Sequence, residues 1–315
     1  MDRMRSGRLC FLILVAGLAA VASAGVRPST QTQPSQWHGP FFFIQLSDTQ
    51  LGMQSQTEDV TPEAAKLSRA VDDINRLKPA FVIITGDLTQ RVGDPRQIAA
   101  FRGLIGRIRP SIPVHLVAGN HDVGDVPTEA SLAAYRRTFG PDWYAFNYGG
   151  CHFVVYDTEI ICHPEHVPGE MARQLAWLKK DLASPAAQQA VQVFAFGHHP
   201  LFTGQAEEPD GHNNIPLARR GIYVQLFAKA DLTAVFCGHI HHNAVADSHG
   251  VLCIATGPIA VPLGLDPPGL RVVKVYATRM QHEYLSLDQA DRLERVHLAP
   301  ATRPATQPVP AAATP

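Results

Sequence analysis

Phe81-Val82-Ile83-Ile84-Thr85-Gly86-Asp87 is an apolar run closed by a glycine and a carboxylate. A run this short, rich in β-branched and aromatic residues and bounded by a turn signal, reads as a buried strand. On its N-terminal side Leu67, Val71, Ile74 and Leu77 recur at helical spacing, with Thr61 as the expected cap and Pro62 in the first turn. Before that helix, Phe41 to Leu46 is another strand. On the C-terminal side Asp94 caps a second helix, with Pro95 at its first position and Gln97 in the capping-box position. Val114 to Ala118, Phe153 to Tyr156, Val191 to Phe196 and Leu232 to Phe236 read as further strands. Helices are expected over Thr128 to Arg137, Glu170 to Leu182 and Leu217 to Lys229. After His241, short strands alternate with Gly and Pro through Leu285. Strands and helices in alternation specify an α/β fold whose sheets are sandwiched between helices.

The 315 residues carry 27 Lys+Arg against 28 Asp+Glu, and 45% are hydrophobic, enough for a large core. This balance excludes a strongly basic nucleic-acid binder and a highly acidic tail protein, and no nucleic-acid signature is found. Arg3, Arg5 and Arg8, the apolar run Leu9 to Ala22 and the small-x-small triplet Ala22-Ser23-Ala24 have the three parts of a secretory signal peptide. Cleavage after Ala24 is expected, leaving no transmembrane segment and an exported protein, periplasmic or secreted. Residues 25–38 and 299–315 are polar or Ala/Pro/Thr-rich and read as disordered flanks around a folded unit at 39–298. Cys151, Cys162, Cys237 and Cys253 remain after cleavage, and their spacing decides neither disulfides nor free thiols.

The polar residues concentrate just after strand ends, where open α/β sheets place their ligands. Ser47-Asp48-Thr49-Gln50 follows the first strand, Gly86-Asp87 the second and Gly119-Asn120-His121-Asp122 the third; later come Gly197-His198-His199 and Gly238-His239-Ile240-His241-His242. Singly, each is a turn residue, a helix cap or a partly buried imidazole. Together they put carboxylates, amides and imidazoles at one rim, a donor set suited to metal ions. His199 and His242 flank the candidates as orienting residues or as lining of the substrate mouth. His212 lies in the polar loop Glu207 to Asn214, read either as a lid or as ordinary solvated chain. Cys162, His163 and His166 fit no zinc spacing and read as a loop. A metallo-β-lactamase-type site would need His-x-His-x-Asp-His, and the chain has none.

In order and spacing these motifs resemble the calcineurin-like metallophosphoesterases, whose pattern is Asp-x-His, Gly-Asp, Gly-Asn-His-Asp/Glu, a later His and Gly-His-x-His. The resemblance covers the folded unit. It implies a four-layer α/β/β/α sandwich with two mixed sheets, and two divalent or trivalent metal ions (Mn, Fe, Zn or Mg). The implied ligands are Asp48, Gln50, Asp87 and His241 for the first ion, and Asp87, Asn120, His198 and His239 for the second. The implied chemistry is hydrolysis of a phosphomonoester or phosphodiester by a hydroxide bridging the ions, with His121 as general acid and Asp122 orienting the loop or the ring. Gln50 stands where most of the family has His; its amide oxygen is harder than an imidazole nitrogen and favours Mn²⁺ or Mg²⁺. The same replacement, and the stretch Asn214-Ile215-Pro216-Leu217, look like a branch resembling serine/threonine-protein phosphatases. Gln90 stands where protein phosphatases of the superfamily carry an Asp that supports the catalytic His, which weakens the inference to protein substrates. A non-catalytic metal-binding protein on the same scaffold is the alternative.

Overall fold

Side chains alternate across a strand, and that alternation sorts the apolar residues of this chain into two layers of core. The computed structural model describes residues 36–54 and 59–298. The expectations for residues 1–35 and 299–315 lie outside them. In chain order the elements are β1 (Phe41–Leu46), α1 (Thr61–Leu77), β2 (Val82–Ile84), α2 (Pro95–Ile105), β3 (Val114–Leu116), α3 (Asn120–Val123), α4 (Glu129–Thr138), β4 (Tyr144–Tyr148), β5 (Cys151–Val155), α5 (Glu159–Cys162), α6 (Glu170–Leu182), α7 (Pro185–Gln188), β6 (Val193–Phe196), α8 (Leu217–Lys229), β7 (Ala234–Cys237), β8 (Ala244–Ser248), β9 (Val251–Ala255), β10 (Gly269–Val275), β11 (Met280–Ser286) and α9 (Leu287–Arg292).

The strands form two mixed sheets, ordered β11-β10-β1-β2-β3 and β4-β5-β6-β7-β9-β8. In the first, β1, β2 and β3 run parallel, and β10 joins β1 antiparallel. In the second, β5, β6, β7 and β9 are parallel, with antiparallel hairpins at both edges. Phe41, Phe43, Phe81 and Ile83 from the first sheet meet Phe153, Phe194, Phe196 and Phe236 from the second in an aromatic-rich interlayer. Phe43 stacks on Phe81 at 4.8 Å between ring centroids and stands edge-on to Phe196 and Phe236 at 5.9 and 5.8 Å, geometries that aromatic quadrupoles favour. The alternate residues Phe42, Ile44 and Leu46 lie in the outer core with Leu67, Val71 and Ile74 of α1. On the other flank Tyr156 packs against Tyr223 and Phe227 of α8. The result is the four-layer α/β/β/α sandwich.

Details of the elements differ from the sequence reading for local reasons. Thr61 is the first residue of α1 and not its cap; Val60 holds that place, and the Asp59 carboxylate accepts from Thr61 N at 2.9 Å. Asp94 does cap α2, accepting from Arg96 N and Gln97 N. Gln97 does not complete a capping box: its side-chain oxygen accepts instead from Arg91 N at 2.9 Å, tying the loop after β2 to the helix. β5 begins at Cys151, earlier than expected, because it forms a hairpin with β4 through Gly149 and Gly150, both at positive φ. Within the expected N-terminal flank, Trp37 packs against the interlayer core beside Phe41. The four cysteines from Cys151 onward are free and buried, with Cys237 and Cys253 3.8 Å apart at sulfur. Among the described residues, no helix is long and apolar enough to cross a membrane.

Candidate metal centre

The parallel strands β1, β2 and β3 of one sheet and β6 and β7 of the other end at a common rim, and the motifs sit there. Asp48, Asp87 and His198 bring ligand-type atoms within 4.8 Å of one another, and so do His198, His199 and His239. Asp48, Gln50, Asp87 and Asn120, which follow β1 to β3, offer oxygens; His198, His239 and His241, which follow β6 and β7, offer nitrogens. All seven are buried.

To turn these side chains inward, the backbone leaves its comfortable regions. Asp48, Gln50, Asp87, His239 and His241 have φ of 49°, 33°, 52°, 68° and 54°, left-handed values that cost a residue with a Cβ about 1 kcal/mol or more each. Close approach explains the motif glycines: a Cβ on Gly86 would run into the His198 ring, one on Gly119 into Asp87, and one on Gly238 into Ser47 and Asp48.

Each imidazole has one nitrogen committed to an acceptor, which fixes the role of the other. His198 Nδ1 donates to Thr85 O at 2.8 Å, His241 Nδ1 to Val261 O at 2.5 Å and His121 Nδ1 to Gln90 O at 2.9 Å. His239 is held the other way round, Nε2 donating to His212 O at 2.8 Å. In the neutral ring the free nitrogen is therefore a bare lone pair. His198 Nε2 lies 3.0 Å from Asn120 Oδ1 and 3.3 Å from Asp87 Oδ2, and His241 Nε2 lies 3.4 Å from Asp48 Oδ1. The Asn120 amide cannot turn its NH₂ inward, because Nδ2 donates to Asp125 at 2.8 Å. Gln50 adds a buried side-chain oxygen without a hydrogen-bond partner. Acceptors crowded on acceptors in this way call for a positive charge between them.

The titration behaviour of the protein alone expresses the same demand. Burial resists charge on His198, but Asp87 outweighs it and holds the imidazolium far above its ordinary range. Burial likewise opposes ionisation of Asp87, yet His198 and its neighbours pull that carboxyl down. Burial also opposes charge on His241, which Asp48 nonetheless raises. His239 is driven down to about 2 by burial and by His199 and His198, against a smaller opposing pull from Asp87.

The structure gives the remaining candidates distinct positions. His121 is partly exposed at the rim, its backbone N donating to Asp87 Oδ1 at 2.9 Å. Gln90 supports His121 through its main-chain carbonyl, not through its side chain. Asp122 accepts from Gly119 N and Leu88 N at 3.0 Å and from Thr89 N at 3.3 Å, stitching the loops after β2 and β3 together; burial and Asp87 push it up to about 8. Its carboxylate orients the loop rather than the His121 ring. The 207–214 loop is braced rather than free: Glu208 accepts from Thr203 N, Gly204 N and Asn214 Nδ2, and the buried Arg220 donates to the carbonyls of Ile215, Ala206 and Glu208. His242 donates back to Ile240 O. Cys162 is buried in α5, whereas His163 is exposed beside Glu165.

Sequence reading passed over one residue of the rim. Glu159, just past the end of β5, is buried and lies 2.7 Å from His199 Nδ1. It stands after a strand end like the others, so the same rule applied to Tyr156-Asp157-Thr158-Glu159 finds it.

Residues 43–243 match the calcineurin-like phosphoesterase family. The serine/threonine-protein phosphatase CPPED1 of Bos taurus is 32% identical over 269 residues, 81% of this chain and 86% of that protein. Among solved structures, a purple acid phosphatase, PPD1, from yellow lupin seeds superposes with a TM-score of 0.60 at 16% identity, covering 82% of this chain and 53% of that one. A dimetal phosphatase from Danio rerio gives 0.56 at 16% identity, covering 77% and 98%. The chain belongs to the calcineurin-like phosphoesterase family, and with it to the metal-dependent phosphoric ester hydrolases.

Proposed function

We propose that the rim holds two metal ions and hydrolyses a phosphomonoester or phosphodiester, with His121 as the general acid. Asp48, Gln50, Asp87 and His241 hold the first ion; Asp87, Asn120, His198 and His239 hold the second, with Asp87 shared. The observation that carries this reading is the double crowding of acceptors, His241 Nε2 against Asp48 and His198 Nε2 against Asp87 and Asn120. When bound, paired ions of this kind polarise a phosphoryl oxygen and acidify water. The chain's own residues do the rest. Asp87 supplies negative charge between the two positions, while neutral amides and imidazoles complete the sets without cancelling the charge that must act on phosphate. His121, its Nδ1 committed to Gln90 O, gives a proton from Nε2 to the departing oxygen in its imidazolium form, which carries a hydrogen on both nitrogens. Asp122 keeps the His121 loop in register with the Asp87 loop.

Turnover of p-nitrophenyl phosphate and of its bis-ester with added Mn²⁺ tests the proposal. Activity should be present in the parent and fall at least about a thousandfold in Asp87→Ala. Metal uptake without turnover of either ester would leave a binding protein. A phosphoserine peptide belongs in the same screen because CPPED1 carries the name of a protein phosphatase. Export, expected from Arg3 to Ala24, is part of this proposal and favours phosphoesters outside the cytoplasm as substrates.

A further inference from the structure

We propose that His199 is an additional nitrogen ligand of the second metal position, oriented by Glu159; the inference rests on the dimetal reading above. Neighbouring residues of an extended chain point to opposite faces, so His198 and His199 can share one cluster only if the chain bends there. Thr158 enforces the bend: its Oγ accepts from His198 N at 3.3 Å and His199 N at 3.0 Å, and donates to Glu159 Oε1 at 3.2 Å. Glu159 then takes His199 Nδ1 at 2.7 Å. A carboxylate on one imidazole nitrogen fixes the ring and makes the other nitrogen the more basic donor, the arrangement by which proteins tune metal-bound histidine. The His199 ring lies 3.6 Å from the His239 ring between centroids, and ligand atoms of His198, His199 and His239 fall within 4.8 Å of one another. A histidine serving only as packing against His239 would need none of this bracing.

The full chain loaded with Co²⁺ separates the two roles, because the visible d–d absorption of Co²⁺ reports the number and kind of its ligands. The parent should bind two Co²⁺. His199→Phe keeps an aromatic ring against His239 but has no nitrogen, and His199→Gln keeps polarity without an imidazole. Both should shift the absorption and weaken one of the two Co²⁺ by about tenfold or more, and Glu159→Gln should weaken the same ion by roughly tenfold. If His199→Phe does not fold, as judged by circular dichroism, His199→Gln decides. Variants that hold both ions with the parent's affinity and spectrum overturn the ligand role. So does weakened binding with an unchanged spectrum, which would make His199 a positioning residue. A parent that takes up no Co²⁺ refutes the dimetal reading itself.

Discussion

The His121 ring is held by a main-chain carbonyl rather than by a carboxylate: Gln90 O takes Nδ1, while Asp87 takes the backbone N–H. Removing the ring should leave the ligand set intact. His121→Ala is expected to retain its metal content while kcat on an alkyl phosphate falls about 10²–10⁴-fold; loss on p-nitrophenyl phosphate, whose leaving group needs no proton, should be much smaller. Equal losses on both esters would remove the acid role. Gln50 tests ligand hardness: Gln50→His should raise the ratio of Zn²⁺ to Mg²⁺ affinity by about tenfold or more, measured by competition titration, since imidazole prefers the softer ion. At this scale much was legible. Asp48, Asp87, Asn120, His198, His239 and His241 each follow a strand, and a strand end is a fixed address in an α/β sheet. Contacts made by main-chain atoms, such as those of Thr85, Gln90, Val261 and His212, were not legible because any residue supplies a carbonyl.

The elements aim these side chains, and their ends are braced from the connecting loops. Glu63 in the first turn of α1 accepts from Gly52 N and Gln54 N, and Gln97 in α2 holds Arg91 N, so the loops after β1 and β2 are each tied to a helix start. Arg220 in α8 does this for the loop that carries His212. Arg220→Met should cost about 2–4 kcal/mol by urea denaturation, since three carbonyls, two of them in buried contacts, lose a charged donor. It should also weaken metal binding, because the His212 carbonyl sets the orientation of His239. An unchanged urea midpoint would contradict the bracing role. Helix limits read well where composition sets them: Asp94 does cap α2, and the helix expected from Thr128 starts one residue later with Thr128 as its cap. They read poorly where tertiary partners compete, as when Arg91 draws Gln97 away from the cap.

Across the whole molecule, the alternation of strands and helices reveals the α/β class, but not which strand lies beside which. β10 lies beside β1 although most of the chain separates them; such a non-local pairing leaves no periodic mark. The interlayer core also carries a titration signature. His115 stacks on Phe146 at 3.6 Å, and burial drives it down to about 4. The unfolded chain therefore binds more protons between pH 6.5 and 4, so this group destabilises the fold progressively as pH falls through that window. His115→Phe should reduce the drop in melting temperature between pH 7 and pH 4.5; an identical drop in both proteins would exclude His115 as a source of acid sensitivity.

The split of donors between the sheets, oxygens from one and nitrogens from the other, bears on how the protein matures. Neither half alone can assemble a full coordination sphere, and the last imidazoles emerge late in synthesis. On the two-metal reading, cation loading would be a terminal event, possible only once both layers have formed and met. Bound there, the proposed ions would bolt the two layers together from the rim.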